Sequence, residues 1–330
     1  MRRADSKMNA ADLLISFDLP DAYIQKIRNS SHDIRIWQSQ DKKRLLNLIA
    51  DVDILFAGAF SLEMFLAARR LKWIQTDGAG VNKFLFPEVI RSDVIITSAG
   101  GVHHIPVSEH VIGLMLSLSR KSHFLIRNQM ERTWERNDAD LMNQIDELSG
   151  KTVGIVGLGR IGKEIARKAK CFEMEVIATR RSSASRKPSY VDKLVRAENL
   201  ANLLAESDFV VLSLPLTNET KGMLGEVQLK SMKRTAYLIN VSRGKIVQER
   251  KLIQALKEGW IAGAGLDTFE NEPLSRNSEL WDMKNVLITP HVAGLSRYYF
   301  ERLTNIFCKN LIRFTNSKPL INVVNKTLGY

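Results

Sequence analysis

The chain has 330 residues, of which 45% are hydrophobic and 25% are charged, a balance typical of globular proteins rather than disordered or fibrous ones. This length exceeds the size at which one hydrophobic core stops growing, so we expect two domains. The net charge of +12 is compatible with nucleic-acid contact, with attraction of small anions or with solubility alone. Because Lys and Arg are spread along the chain without a long basic run, no nucleic-acid partner is expected.

Nothing in the hydropathy pattern predicts a membrane span. The longest uncharged apolar stretch near the N-terminal third, residues 111–119, is far shorter than the roughly 20 residues that a spanning helix needs. Residues 1–10 are interpreted as a frayed leader, since the apolar run that follows them is too short for a signal peptide. Cys171 and Cys308 lie in helix-like segments, a usage that suits a reducing compartment. We therefore expect a cytoplasmic protein.

Strand-like and helix-like segments alternate over residues 12–100, which predicts a parallel sheet flanked by helices. The predicted strands cover residues 13–17, 53–57, 73–76 and 94–97, and helices are predicted at 21–29 and 62–71. The turn Asp77-Gly78-Ala79-Gly80 directly follows the third strand. Ligands of such sheets lie beyond the carboxyl ends of the strands, so this turn is either an anion cradle or an ordinary glycine turn.

A second and stronger series of strands follows a long helical segment at residues 106–130. These strands are predicted at residues 152–156, 175–179, 209–214, 236–241, 262–266 and 286–289. Six such strands make a complete dinucleotide-binding sheet. The last helical segment, residues 297–314, is expected to cross back to the first domain.

The glycine motif GLGRIG at residues 157–162 lies between the first strand of this series and a helical run. Gly157 permits a tight turn, Gly159 lets the backbone approach a pyrophosphate, and Gly162 lets helix and strand pack closely. Arg160 and Ile161 begin the helix, whose first N–H groups favour phosphate oxygens. Because a motif in this position is a strong signal, we predict a Rossmann dinucleotide-binding domain.

The end of the second strand decides which dinucleotide is preferred. NAD sites usually place a carboxylate there for the ribose 2′-hydroxyl, but this chain has Thr179, Arg180, Arg181 and Ser182. Two guanidinium groups can pair with a 2′-phosphate. We therefore predict that NADP(H) is preferred over NAD(H), with a solvated basic loop as the alternative.

Three residues beyond strand ends could assist the reduction of a carbonyl group by hydride transfer from a dinucleotide. This reaction needs a proton donor and a cation that holds the substrate. Arg243 and His291 each follow a predicted strand, and Glu272 follows another. A carboxylate beside an imidazole favours the protonated ring, which can donate a proton. Taken singly, the three also have structural interpretations as a surface ion pair, a loop acid and a loop histidine.

Together these features resemble the D-isomer-specific 2-hydroxyacid dehydrogenase family, which includes glyoxylate/hydroxypyruvate reductases, D-lactate dehydrogenases and phosphoglycerate dehydrogenases. The matching motifs are VGIVGLGRIG at 153–162, LPLTNET at 214–220, INVSRG at 239–244, GAGLDTFENEP at 263–273 and ITPHVAG at 288–294. The resemblance implies an α/β fold with a Rossmann domain at residues 104–296. It also implies a smaller, flavodoxin-like substrate domain at residues 1–103 and 297–330, and a homodimer.

The resemblance also implies roles for single residues. Arg243 would bind the substrate, His291 would be the acid/base and Glu272 its carboxylate partner. The substrate carboxylate would meet the backbone of Gly78, Ala79, Gly80 and Val81, and Trp134 resembles a tryptophan that glyoxylate/hydroxypyruvate reductases place near the partner's active site. Asp267 would contact the nicotinamide carboxamide. Further cofactor contacts would come from Leu214, Pro215, Thr220, Val241, Ser242, His291 and Gly294. No metal site is implied.

The predicted function is therefore an NADPH-dependent reductase of a small 2-keto acid such as glyoxylate, hydroxypyruvate or a bulkier analogue. Two alternatives remain at this point: a dinucleotide-sensing regulatory protein like the corepressors of the same fold, and a formate- or phosphite-type dehydrogenase. His103, in a Gly-Val-His segment, either faces a cleft or has a structural role.

Overall fold

The computed structural model describes residues 11–31, 33–134, 143–180 and 186–329. The chain divides into two compact units, residues 1–102 with 296–330, and residues 103–295. The predicted residues Arg181 and Ser182 lie outside the described part. Among the described helices, none combines the length and the apolar character that a bilayer crossing requires.

Strands and helices alternate along both units. The strands are β1 (Ala11–Ile15), β2 (Ile34–Gln38), β3 (Ile54–Ala57), β4 (Trp73–Thr76), β5 (Ile95–Thr97), β6 (Thr152–Val156), β7 (Glu175–Arg180), β8 (Lys193–Arg196), β9 (Phe209–Leu212), β10 (Tyr237–Asn240), β11 (Gly263–Leu266) and β12 (Val286–Ile288). The helices are α1 (Asp21–Ser30), α2 (Lys42–Ile49), α3 (Leu62–Ala67), α4 (Pro87–Arg91), α5 (His104–Ser119), α6 (Ser122–Met130), α7 (Arg160–Cys171), α8 (Leu200–Glu206), α9 (Glu226–Lys230), α10 (Glu249–Lys257) and α11 (Tyr299–Thr315).

The first unit has one parallel sheet in the order β2-β1-β3-β4-β5. This is the flavodoxin-like order, in which the chain changes direction between β1 and β3. Helix α11 completes the unit, since its buried Leu303, Phe307 and Leu311 share one hydrophobic cluster with β1 and with Ile27 of α1. The predicted α/β class with a flavodoxin-like domain is confirmed.

The second unit has a parallel sheet in the order β12-β11-β10-β9-β6-β7-β8. Its central part is the Rossmann order, with the change of direction between β6 and β9. The edge strand β8 was not predicted from the sequence, and neither was β2 at the edge of the other sheet. Both are only partly buried and contain charged residues, so they lack the apolar run that marks most inner strands.

Alternate residues of the inner strands face opposite sides of each sheet. In β9, Phe209 and Val211 belong to the hydrophobic cluster on one face, and Val210 and Leu212 belong to the cluster on the other. The inner strands of the first unit are divided between two clusters in the same way. Helices therefore cover both faces, which explains why these strands carry apolar residues on both sides of the sheet.

The helix predicted over residues 106–130 is two helices, α5 and α6, so that prediction was wrong in its continuity. Lys121 separates them with a φ of 54°, in the left-handed region that interrupts a right-handed helix. Helix α5 buries eight of its residues, whereas the buried residue of α6 is Asn128, and its Leu125, Ile126 and Met130 are exposed. The run of helix-forming residues in the sequence did not show this interruption.

Candidate active site

The glycine motif forms a tight turn between β6 and α7. Gly157 has a φ of 103°, which favours glycine, and a Cβ on Gly162 would lie 2.2 Å from the Gly157 carbonyl oxygen. Around the Cβ position of Gly159, by contrast, no heavy atom lies within 4 Å. The turn thus has space beside Gly159 at the start of a twelve-residue helix, where helix N–H groups favour anions. This geometry fits a dinucleotide pyrophosphate.

Hydrogen bonds hold this turn against the neighbouring strands. The Gly157 N–H donates to Thr179 Oγ1 at 3.1 Å, and Ser213 Oγ donates to the Gly157 carbonyl oxygen at 2.7 Å. Thr179 belongs to β7 and Ser213 follows β9, so the turn lies at the point where the strand order reverses. At the end of β7, Arg180 is paired in register with Arg196 of β8.

A second turn after β9 carries several predicted cofactor contacts. Thr220 Oγ1 donates to the Pro215 carbonyl oxygen at 2.8 Å, which closes the segment between them. The Leu214 N–H donates to Ser242 Oγ at 3.0 Å. This bond joins the turn to the segment after β10, where Val241 is also found, so these five residues lie at one edge of the sheet.

Arg243 is held by its own loop after β10. The buried Asn240 accepts a hydrogen bond from the Ser242 N–H at 3.1 Å and donates one to the Arg243 carbonyl oxygen at 3.3 Å. A Cβ on Gly244 would lie 1.8 Å from the carbonyl carbon of Phe269. Only glycine therefore allows this loop to pack against the next one, which carries Glu272.

Glu272 and His291 are in direct contact. His291 Nδ1 lies 2.7 Å from Glu272 Oε2, and the Phe269 N–H donates to Glu272 Oε1 at 3.0 Å. Burial favours a raised pKa for Glu272, but the hydrogen bonds from His291 and Phe269 and the charges of His291 and Arg243 hold the pKa below its ordinary value. An ionised carboxylate accepts the proton on Nδ1, which leaves Nε2 as the ring nitrogen for a substrate.

The loop that carries His291 is anchored by Asp267. This carboxylate is 1% exposed and accepts hydrogen bonds from the N–H groups of Val292 and Ala293 at 2.9 and 3.0 Å. Thr289 Oγ1 donates to it at 2.6 Å. The expected contact of Asp267 with the nicotinamide remains a prediction. The sequence did not predict that Asp267 anchors this loop, and the signal that it offered was the position of Asp267 directly after β11.

Two histidines also contact this loop. His103 Nδ1 lies 3.1 Å from the Gly294 carbonyl oxygen. This contact fits the structural role that the sequence left open as one alternative for His103. His110 Nε2, on α5, lies 3.0 Å from Thr289 Oγ1. His110 was not singled out in the sequence, because no local pattern connects it with a residue 179 positions away.

The predicted carboxylate cradle follows β4 in the first unit. The Gly78 carbonyl oxygen accepts hydrogen bonds from Thr76 Oγ1 at 2.7 Å and from the Ala99 N–H at 3.0 Å, and Val81 is buried. Tyr299 Oη donates to the Asp77 carbonyl oxygen at 3.0 Å. The turn is thus held by hydrogen bonds to its carbonyl groups and by the Asp77 N–H, which donates to the Ala57 carbonyl oxygen at 3.0 Å. Trp134, in the second unit, is 90% exposed.

Among the described residues, no group of three or more His, Cys, Asp or Glu side chains is placed to hold a metal ion. At the carboxyl edge of the second sheet, Glu272 contacts His291 and Asp267 contacts Thr289, whose hydroxyl group also lies close to His110.

Sequence comparisons point to one family. The family model for the NAD-binding domain of D-isomer-specific 2-hydroxyacid dehydrogenases matches residues 112–293. A glyoxylate reductase from Korarchaeum cryptofilum is 34% identical over 321 residues, which cover 95% of this chain and 96% of that protein. A glyoxylate reductase from Pyrococcus furiosus is 36% identical over 307 residues, or 89% of each chain.

Solved structures have the same fold. A D-isomer-specific 2-hydroxyacid dehydrogenase family protein from Aeromonas salmonicida matches with a TM-score of 0.85 and 30% identity, covering 96% of this chain and 100% of that one. An NADPH-dependent glyoxylate/hydroxypyruvate reductase from Sinorhizobium meliloti, solved with NADP and sulfate, matches with a TM-score of 0.81 and 26% identity, covering 97% and 100%. The similarity therefore extends over nearly the whole chain.

Proposed function

The chain belongs to the D-isomer-specific 2-hydroxyacid dehydrogenase family, and on that premise we propose that it reduces glyoxylate or a similar small 2-keto acid with NADPH. The contact between His291 and Glu272 beside Arg243 carries this proposal. Oxidoreductases of this family act on CH–OH donors, and the predicted enzyme class is confirmed. The names of the relatives, glyoxylate reductase and glyoxylate/hydroxypyruvate reductase, support the choice of substrate.

The three side chains divide the work on the substrate. The Arg243 guanidinium binds the carboxylate and polarises the keto oxygen through its planar set of donors. His291 delivers a proton from Nε2 to that oxygen, while Glu272 holds Nδ1 and stabilises the imidazolium. The reduced nicotinamide, when bound, supplies the hydride. The backbone N–H groups of Gly78 to Val81 are the further groups proposed to bind the substrate carboxylate.

The dinucleotide is proposed to lie along the carboxyl edge of the second sheet. The turn at Gly157, Gly159 and Gly162 would hold the pyrophosphate, with Arg160 and Ile161 at the helix start. The remaining contacts would come from Leu214, Pro215, Thr220, Val241, Ser242, Asp267 and Gly294. The space beside Gly159 supports this placement, since a backbone without a side chain can approach phosphate closely.

NADP(H) is the proposed dinucleotide because arginines occupy the sequence at the end of β7, where NAD sites usually have a carboxylate. Thr179 and Arg180 end β7, Arg181 and Ser182 follow, and Arg196 is the register partner of Arg180. Side chains of register partners in a parallel pair lie on the same face of the sheet, so the two guanidinium groups share that face. The relative from Sinorhizobium meliloti, whose structure contains NADP, supports the same choice.

A homodimer in the cytoplasm is proposed as the working form. Helix α6 exposes Leu125, Ile126 and Met130, and Trp134 follows them with 90% of its surface exposed. Apolar residues that gather on one exposed segment mark protein–protein contacts. This surface supports self-association through the second unit, with Trp134 directed to the partner.

Sedimentation of the wild type and of a Leu125→Glu/Met130→Glu variant tests the proposed homodimer, because the variant is expected to be monomeric.

Steady-state assays with a panel of 2-keto acids and both nicotinamides test the proposed reaction. We expect turnover with NADPH, and loss of turnover in His291→Ala with cofactor affinity retained. His123→Ala is the matched control, since the His123 ring bonds to the backbone carbonyl oxygens of Ser117 and Lys284, away from the proposed reacting groups. A protein that binds NADPH but reduces none of the panel would act as a sensor, and the proposal would fall.

Cofactor preference is tested by the double variant Arg180→Ala/Arg181→Ala. Each charge-assisted contact is worth about 1.5–3 kcal/mol, so the affinity for NADPH is expected to fall by about 10²-fold or more while the affinity for NADH changes little. Arg250→Ala/Arg276→Ala removes two exposed arginines elsewhere and is the charge-matched control. An equal loss for both nicotinamides would contradict the assignment of the 2′-phosphate site.

A further inference from the structure

The loop from Thr289 to Gly294 places the proposed proton donor in an unusual backbone conformation. His291 has a φ of 55°, in the left-handed region that residues other than glycine rarely adopt. Such a conformation persists only where surrounding contacts enforce it. The bonds from Val292 and Ala293 to the Asp267 carboxylate supply that enforcement on one side of His291. The orientation of Asp267 therefore controls where the His291 ring lies.

Asp267 is in turn held by a chain of two further side chains. Thr289 Oγ1 lies 2.6 Å from Asp267 Oδ1 and 3.0 Å from His110 Nε2. A hydroxyl group has one proton to donate, and a carboxylate only accepts. Because the Thr289 proton is donated to Asp267, the bond from His110 must be donated by an Nε2–H group. The hydrogen bonds thus define both the direction of the chain and the ring nitrogen that carries the proton.

The surroundings of His110 are consistent with a neutral ring. Its side chain is 22% exposed on α5, and its Nε2 lies 3.7 Å from Asp267 Oδ1. Burial lowers the pKa of His110, and the Asp267 charge opposes this only in part. A neutral imidazole with its proton on Nε2 is sufficient to complete the chain to Thr289, so the chain needs no change of protonation to operate.

We propose that His110 and Thr289 are positioning residues for the reaction, which act through Asp267 to hold His291 against Glu272. The inference rests on the proposed function, because it assigns a role in delivering the proton from His291. Neither residue contacts the substrate in this scheme. Their effect is geometric: a displacement of about 1 Å at a reacting group can cost about 10²-fold in rate.

Paired substitutions at position 289 separate the hydroxyl group from the shape of the side chain. Thr289→Val removes the hydroxyl at nearly constant volume, and Thr289→Ser retains it. We expect kcat of the valine variant to fall about 10- to 100-fold, with KM and the Kd for NADPH within about twofold of wild type, and the serine variant to recover most of kcat. Equal losses in both variants would show that the hydroxyl group is not responsible.

Position 110 provides an independent pair. His110→Gln places an amide N–H close to the original Nε2–H, whereas His110→Leu removes the donor. We expect the leucine variant to lose kcat about tenfold and the glutamine variant to lose much less. If Thr289→Val does not fold, the two variants at position 110 are sufficient to test whether this chain of hydrogen bonds positions His291. If leucine and glutamine variants had the same kcat, the proposed donor from position 110 would be wrong.

Thr268→Val is the matched control for loss of a buried hydroxyl group. Thr268 adjoins Asp267 and is 2% exposed, but its hydroxyl has no hydrogen-bond partner within the described ranges. The same chemical change here removes no bond in the chain from His110 to Asp267. We expect kcat within about twofold of wild type. If Thr268→Val lost as much kcat as Thr289→Val, the loss would have to be attributed to local packing and not to the hydrogen bond of Thr289.

Nuclear magnetic resonance of ¹⁵N-histidine-labelled protein tests the geometry without substrate or cofactor. The chain has six histidines, and His291→Ala assigns the signal of interest. We expect the His291 ring signals to move in Thr289→Val and to return in Thr289→Ser. Unchanged His291 signals in Thr289→Val would overturn the proposal. A wild-type enzyme that reduces no 2-keto acid would instead overturn the proposed function and leave this result interpretable.

Discussion

The carboxyl edges of the two sheets offer different chemistry. In the first unit, the turn after β4 is held through the carbonyl groups of Asp77 and Gly78, and what it presents is backbone. In the second unit, the same edge carries the side chains of Arg243, Glu272 and His291. Backbone groups do not titrate, so the anion binding proposed for the first edge would not depend on ionisation of the protein. Proton transfer requires the ionisable side chains of the second edge.

Buried carboxylates show the same division of labour. Asp12 and Asp53 lie at the amino edge of the first sheet, where Arg35, Arg70 and Lys72 neutralise them. Asp267 lies at the carboxyl edge of the second sheet and is bonded to a loop instead of to cations. One residue type therefore forms ion pairs at one edge and anchors the loop that carries His291 at the other.

Among changes that test the contrast between the two edges, Gly244→Ala is expected to cause the largest loss of activity. The new Cβ would lie 1.8 Å from the Phe269 carbonyl carbon, so the loops that carry Arg243 and Glu272 must separate. We expect kcat/KM to fall by about 10²-fold or more, as for other misplaced catalytic groups. Gly113→Ala on α5, where no heavy atom lies within 4 Å, should retain full activity. Normal turnover by Gly244→Ala would contradict the packing described.

At the amino edge of the first sheet, Asp53→Asn is expected to lower the stability of the protein and to leave its activity unchanged. Burial favours a raised pKa for Asp53, but Lys72, the Asp12 N–H and Arg70 hold it below its ordinary value. The free energy of unfolding at pH 7 should fall by about 1–3 kcal/mol, as measured by urea denaturation.

The pH dependence of this variant has a defined sign. A carboxylate whose pKa is lowered on folding stabilises the protein above the ordinary pKa of 3.8, and this contribution is lost as the pH falls through the lowered value. The difference between wild type and Asp53→Asn should therefore shrink below about pH 4. Asp51→Asn is the control, because its ion pair with Arg69 is exposed and should contribute less than about 1 kcal/mol.

Tyr299→Phe probes the backbone turn of the first unit. It removes the hydrogen bond to the Asp77 carbonyl oxygen, which is worth about 0.5–1.5 kcal/mol. We expect KM for the keto acid to rise about two- to tenfold with kcat nearly unchanged, in contrast to changes around His291. If kcat of this variant fell while KM stayed constant, the assignment of substrate binding to the first edge and of proton transfer to the second would be wrong.

The smallest expected effect has the same sign in both units. Thr268 in the second unit and Thr304 in the first are buried, and their hydroxyl groups lack hydrogen-bond partners among the described residues. Replacement by valine removes a desolvated polar group without a large change in volume, so each variant should gain up to about 1 kcal/mol in thermal or urea unfolding. A loss of stability in either would reveal a partner for that hydroxyl.

The inner strands could be predicted because they are buried on both faces. In a parallel sheet between helices, such strands are continuous apolar runs, as Phe209–Leu212 illustrates. The edge strands β2 and β8 escaped prediction for the converse reason. Arg35 in β2 pairs with Asp12 of the neighbouring strand, and β8 begins and ends with charged residues, so these segments become strands through pairing with β1 and β7 rather than through an apolar pattern.

Composition, periodicity and local motifs were enough to define two α/β domains, the glycine turn at residues 157–162 and the residue types that the chemistry needs. Those features are local, because a few neighbouring residues encode a strand, a turn or a helix start. The contacts of Glu272 with His291, and of His110 with Thr289 and Asp267, required the folded chain. The hydrogen bond between His110 and Thr289 joins residues 179 positions apart. Such bonds depend on how strands and helices pack, and no short segment encodes that arrangement.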